Sequence, residues 1–176
     1  MLASPATLAA SVLLLCNCAT PSTTVPLLSA SGIPVTLTTH ESVPLEVVTR
    51  ATGVPDPLPV EGTSVAYSDV ETALGHAVSS GAAPWADAHR DRRPDGWQLL
   101  VELVRAEAHY RAGRMTVDLG VRATLRGRRD NKYLAQTNVH CRQAAVVPPS
   151  DAGPVVYSCM TQLSRELAGW LGLVQP

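Results

Sequence analysis

The tightest constraint on the fold is a stretch in which every second side chain is apolar. Met115, Val117, Leu119, Val121, Ala123 and Leu125 alternate with Thr116, Asp118, Gly120, Arg122, Thr124 and Arg126. Successive side chains of a strand point to opposite faces, so this segment reads as a strand with one face in a core and one in water. Antiparallel sheets accept that division, whereas parallel sheets are covered on both faces. Trp97, Leu99, Val101 and Leu103 repeat the pattern upstream, and Tyr133, Ala135, Thr137, Val139 and Cys141 repeat it downstream. Turn residues separate the three: Gly113 between Tyr110 and Arg114, and the run from Gly127 to Asn131. A three-stranded antiparallel meander is the expected centre of the fold.

Two helices flank it. Val70, Ala73, Leu74, Ala77 and Val78 recur at helical spacing behind Ser68 and Glu71, whose separation fits a capping box. Gly81 and Pro84 are expected to interrupt this helix, with Pro84 opening a second short turn. Val156, Cys159, Met160, Leu163, Leu167, Trp170 and Leu171 form one face of a later helix, begun by Gly153 and Pro154 and closed by Gly172. Upstream, residues 44–50 read as a strand and 53–59 as a break. The expected fold is α+β: an antiparallel sheet of the meander plus one or two N-terminal strands, with two helices packed on one face.

The N-terminal part has another character. No Lys, Arg, Asp or Glu precedes Glu41. Residues 2–16 are apolar and Leu-rich, too short for a membrane span of about 20 residues but suited to the apolar region of a secretory signal, although no basic residue precedes them. The stretch Leu15-Cys16-Asn17-Cys18-Ala19-Thr20-Pro21 resembles a bacterial lipobox. The resemblance implies that Cys18 is diacylated on sulfur and becomes the first residue after cleavage. Asn17 departs from the small residue usual there, and Cys16, with Leu15 directly before it, is the weaker acceptor. A plain cleaved signal with two incidental cysteines is the alternative. Ala19, where an Asp marks inner-membrane retention, implies the outer membrane. The expected organisation is a signal over 1–18, a Pro/Ser/Thr-rich tether over 19–42 with a short edge strand at 35–38, and one periplasmic domain over 43–176.

Chemistry is sparse. A net charge of -1 gives no electrostatic case for nucleic acid. The histidines, His40, His76, His89, His109 and His140, form no metal-binding pair at helical spacing, and His140 and Cys141 are neighbours that point to opposite faces. No phosphate loop or nucleophile elbow occurs. Asp118 is expected to face Glu102 or an arginine across the sheet. The expectation is a protein with no catalytic residue, metal or cofactor. Cys141, on the core parity of its strand, and Cys159, on the apolar stripe of the last helix, are expected to form a disulfide in an oxidising compartment, the alternative being two buried free thiols. Leu100, Val104 and Leu134 are assigned to the sheet face away from the helices, as a docking surface. Arg126, Arg128 and Arg129 form a basic turn, and His89 to Arg93 a second basic cluster. Each reads as a solvated loop tip or as a contact for acidic lipid headgroups or an acidic partner.

The order of elements over 43–173, the hairpin of Trp97–Leu103 with Met115–Leu125, and the amphipathic end from Met160 to Trp170 resemble the ABC-type transport auxiliary lipoproteins. These are small outer-membrane lipoproteins that accompany MCE-type periplasmic lipid shuttles. The resemblance implies a non-catalytic protein, acyl-anchored at the periplasmic face of the outer membrane, that binds a periplasmic or outer-membrane transport protein. The two-helix-on-sheet layout is also similar to the lipopolysaccharide-assembly lipoproteins, and a structural lipoprotein is the third reading.

Overall fold

The computed structural model describes residues 23–27, 45–92 and 95–175. The expected lipidation site Cys18 and the expected edge strand at 35–38 lie outside them. The elements are β1 (Thr23–Pro26), β2 (Leu45–Ala51), β3 (Leu58–Glu61), β4 (Val65–Ser68), α1 (Val70–Ala88), β5 (Trp97–Arg111), β6 (Arg114–Gly127), β7 (Tyr133–Ala145) and α2 (Gly153–Leu173).

The antiparallel meander forms as its alternation requires. β5 pairs with β6 from Trp97↔Gly127 to Arg111↔Arg114, and β6 pairs with β7 from Met115↔Ala145 to Arg126↔Tyr133. The β5–β6 turn is two residues long, with Ala112 at φ 51° and Gly113 at φ 76°. Two positive φ values give the turn whose twist matches that of the flanking strands.

The sheet is mixed rather than antiparallel, with seven strands among the described residues. β2 runs parallel to β5, from Leu45↔Trp97 to Ala51↔Leu103. β3 joins the same edge of β5 farther along, also parallel, at Val60↔Ala108 and Glu61↔His109. The cause is the length of β5. Fifteen residues expose more unpaired backbone along that edge than β2, with seven, can satisfy. The chain therefore swings out after Ala51 and returns as β3. Parallel pairing needs a long crossover, and α1 supplies it.

β1 falls inside the stretch expected to be a tether. It lies parallel to β4, with Thr23↔Val65, and is the outermost strand on that side. An edge position tolerates Pro26. Leu27 follows directly and is fully buried in the core.

Both helices lie against the sheet face that carries Leu99, Val101, Leu119, Val121 and Cys141. α1 continues through Gly81 and Pro84 instead of breaking there. Pro84 stands exposed near the end of the helix, where it removes one bond of the ladder, and Ala82, Trp85 and Ala86 bury around it. Gly81 marks the close approach of α2. The Ser164 hydroxyl donates to the Ala77 carbonyl at 2.6 Å, and a Cβ on Gly81 would meet Ser164 Oγ at 2.2 Å. The capping box does not form either. Asp69 is the N-cap residue, at φ 64°, and its side chain makes no capping hydrogen bond. The Glu71 carboxylate instead accepts the Ala51 N–H at 3.0 Å, tying α1 to the end of β2. α2 runs one residue past Gly172. Cys141 of β7 and Cys159 of α2 form the expected disulfide, with their Cα atoms 5.7 Å apart and a sequence separation of 18.

Gly81→Ala is expected to destabilise the domain by about 1–3 kcal/mol through overpacking at the helix crossing. Gly169→Ala, at a helical position with open space around it, is expected to stabilise by about 0.5–1 kcal/mol. Urea denaturation of the two variants checks the opposite signs. Replacing Cys141 and Cys159 together with Ala should remove about 2–4 kcal/mol, read from the same curves.

Candidate functional site: the open face of the sheet

The face opposite the helices carries no covering element among the described residues. Which side chains reach it is decided by two bulges. Up to Leu103 the odd-numbered residues of β5 face the core; a register shift between Leu103 and Arg105 reverses the parity, so that Ala106, Ala108 and Tyr110 face inward. Val104 sits at the shift and is 42% exposed. A second shift, between Leu125 and Arg126 of β6, falls opposite Leu134.

An apolar patch lies toward the β2 side. Val48 pairs with Leu100 in register, both half-buried, and Val104 follows on the same strand. Leu134, assigned by sequence to this face, is elsewhere: the bulge turns it inward, where it packs against the core. Its neighbour Tyr133 takes the exposed position, at 61%. A bulge adds one residue to one strand, and that reverses the side to which its neighbours point.

Beyond the patch the face is laced by charge. Asp118 is buried, and its Oδ1 lies 2.6 Å from His140 Nε2 and 3.4 Å from Arg105 Nε. Arg105 also binds Glu107 at 3.0 Å. His109 lies 3.6 Å from Glu107 and 2.8 Å from Glu61. The chain of contacts thus spans β3, β5, β6 and β7. Gly120 makes room for it, since a Cβ there would sit 3.3 Å from the Arg105 Cβ. Hydrogen bonding from Arg105 holds the Glu107 carboxyl below its ordinary range, and Glu107 in turn raises the guanidinium of Arg105. Glu102, one of the two expected partners of Asp118, lies instead 4.0 Å from Arg122.

The basic turn stands at the end of the sheet where β5 begins. Arg126 donates to Gln98 Oε1 at 2.8 Å and 2.5 Å, Arg128 pairs with Glu46 at 3.2 Å, and Arg129 with Asp95 at 3.1 Å. All three are therefore engaged within the domain. The second cluster loses its first member: His89 stacks on Trp85 and its Nδ1 lies 2.8 Å from the Trp85 carbonyl, closing α1. Trp85 meets Trp97 edge-on beneath it. Sequence reasoning paired Asp118 with an arginine correctly in kind, but missed its contact with His140, and it missed the contacts of His109 because the parity reversal at Val104 leaves no mark in residue types.

Because the folded pKa of Glu107 is lowered, its pairing stabilises the fold above the ordinary carboxylate range and is lost as pH falls through the lowered value. Arg105→Met should return the Glu107 carboxyl upward toward its ordinary range in an NMR titration. The stability gap between variant and wild type should close as pH falls through the wild-type Glu107 value.

No family model matches the chain, and no curated protein matches it. Among solved structures, a Xanthomonas campestris protein of the DUF330 family is similar at 16% identity and a TM-score of 0.54, over 73% of this chain and 84% of its own. A Caulobacter crescentus protein is similar at 14% identity and a TM-score of 0.46, over 76% of this chain and 94% of its own. A minor lipoprotein of Acinetobacter baumannii is similar at 11% identity and a TM-score of 0.45, over 75% of this chain and 96% of its own. The likeness to the Xanthomonas protein shows a shared fold.

Proposed function

We propose that the chain is a lipid-anchored, non-catalytic docking protein of the periplasm, and that it serves as the auxiliary component of an ABC/MCE-type lipid transport system at the outer membrane. The observation that carries the docking role is the open sheet face. Val48 and Leu100 put adjacent apolar side chains there, and Val104 adds a third beyond Glu102, among charges that are already paired. Such a surface gives a partner an apolar centre to desolvate and a polar rim for register. The disulfide between Cys141 and Cys159 fits an exported chain, because thiols stay reduced in the cytosol. The lipobox-like context of Cys18 supplies the anchor. The transport role comes from the resemblance of element order.

A photo-activated residue at Val104, in native membranes, tests this reading. Cross-linking to an MCE-type shuttle subunit is expected. Capture of an outer-membrane β-barrel would favour the assembly-factor reading, and capture of nothing but lipid would sink docking through this face. Val104→Asp should weaken the captured complex tenfold or more, as loss of a central apolar contact of about 2 kcal/mol does, while moving folding stability by less than about 0.5 kcal/mol.

A further inference from the structure

Arg111 and Arg114 pair directly across the end of the β5–β6 hairpin. Both are exposed, and neither has an ion pair among the described residues. Two carboxylates on the neighbouring stretch of sheet are engaged elsewhere, Glu107 by Arg105 and Glu61 by His109. Like charges directly opposite on adjacent strands are destabilising, and no ion pair among the described residues offsets the repulsion of this pair.

The sheet register places this hairpin relative to the N-terminus. Thr23 pairs with Val65, and the antiparallel step at Ala66↔Pro59 sets Val65 opposite Val60, which pairs with Ala108. Thr23 therefore stands level with Ala108. The hairpin tip at Ala112 lies four residues farther on, about 14 Å along the strand. From Cys18 to Thr23 is five residues, at most about 18 Å of chain whatever its conformation. The opposite end of β5, at Trp97, is eleven residues the other way, about 37 Å. There the turn after β6 carries Arg128 and Arg129, each already paired with a carboxylate.

We infer that the hairpin tip, through Arg111 and Arg114, is the domain's foot on the anionic headgroups of the bilayer that anchors it. The domain stands end-on, with both basic loops held away from that membrane. Anionic phosphates relieve the facing arginines, and each basic residue at such a surface contributes about 1 kcal/mol, or roughly fivefold. This orientation rests on the lipoprotein reading of Cys18, whereas the lipid preference of the arginine pair does not.

The test uses the full chain in nanodiscs of equal phosphatidylethanolamine and phosphatidylglycerol, with a benzophenone residue at Ala112 or at Asn131. Phospholipid adducts are expected from 112 at least tenfold above those from 131, enriched in phosphatidylglycerol. Arg111→Gln with Arg114→Gln should return the adducts to the bulk lipid ratio, and Arg128→Gln with Arg129→Gln should leave the enrichment intact. Equal adducts from both tips, or enrichment that survives loss of Arg111 and Arg114, overturns the inference. Mass spectrometry of Cys18 separates the two failures: an unmodified Cys18 sinks the lipoprotein reading, while an acylated chain that labels lipid from 131 sinks the orientation alone.

Discussion

The backbone hydrogen-bonding demand of β5 organises the molecule. One edge of this strand is met along its length, apart from the bulge at Val104, by β6, an antiparallel neighbour one tight turn away. The other edge has no sequence-adjacent strand to fill it, so segments from the N-terminal third are brought to it. β2 and β3 divide the work, and the bulge at Val104 falls in the gap between them, where Thr52 N–H donates to the Leu103 carbonyl. The parallel pairing and the crossover by α1 are both consequences of that one shortage. β4 and β1 then extend the sheet outward from β3.

What could be read from sequence tracks how locally each feature is determined. Strict alternation over Met115–Leu125 specifies a half-buried strand by itself, and helical spacing specifies α2, because both are periodicities within one element. The disulfide followed from two such periodicities meeting in one core. Parallel pairing left no such signature: β2 is seven residues and β3 four, too short for a pattern that separates parallel from antiparallel. Pro84 and Gly81 read as breakers because propensity counts only the helix. Burial of Trp85 and the contact with Ser164 belong to the tertiary structure and override it. Thr23–Pro26 looked like linker because a short edge strand needs neither alternation nor a long apolar run.

The functional face was legible in its composition and not in its geometry. Leu100 and Val104 lie where alternation puts them, ahead of or at the first bulge. Leu134 does not, because the second bulge shifts everything near it by one residue, and a shift of one reverses the face. The same arithmetic, at the first bulge, hid the contact of Arg105 with Asp118. Charged residues on a wet sheet face choose partners by register, so an error of one position changes every pair while leaving the list of residues unchanged.

The disulfide has a meaning beyond the stability it contributes. β7 is the last strand of the sheet, and its outer edge of thirteen residues presents unpaired N–H and C=O groups with no proline to interrupt them. Edges of this kind template the addition of strands from other molecules. The bond from Cys141 to Cys159 ties that strand to the helix behind it, which opposes its peeling from β6. Without that bond the strand would be held to the body of the domain by its ladder to β6 and by side-chain packing alone.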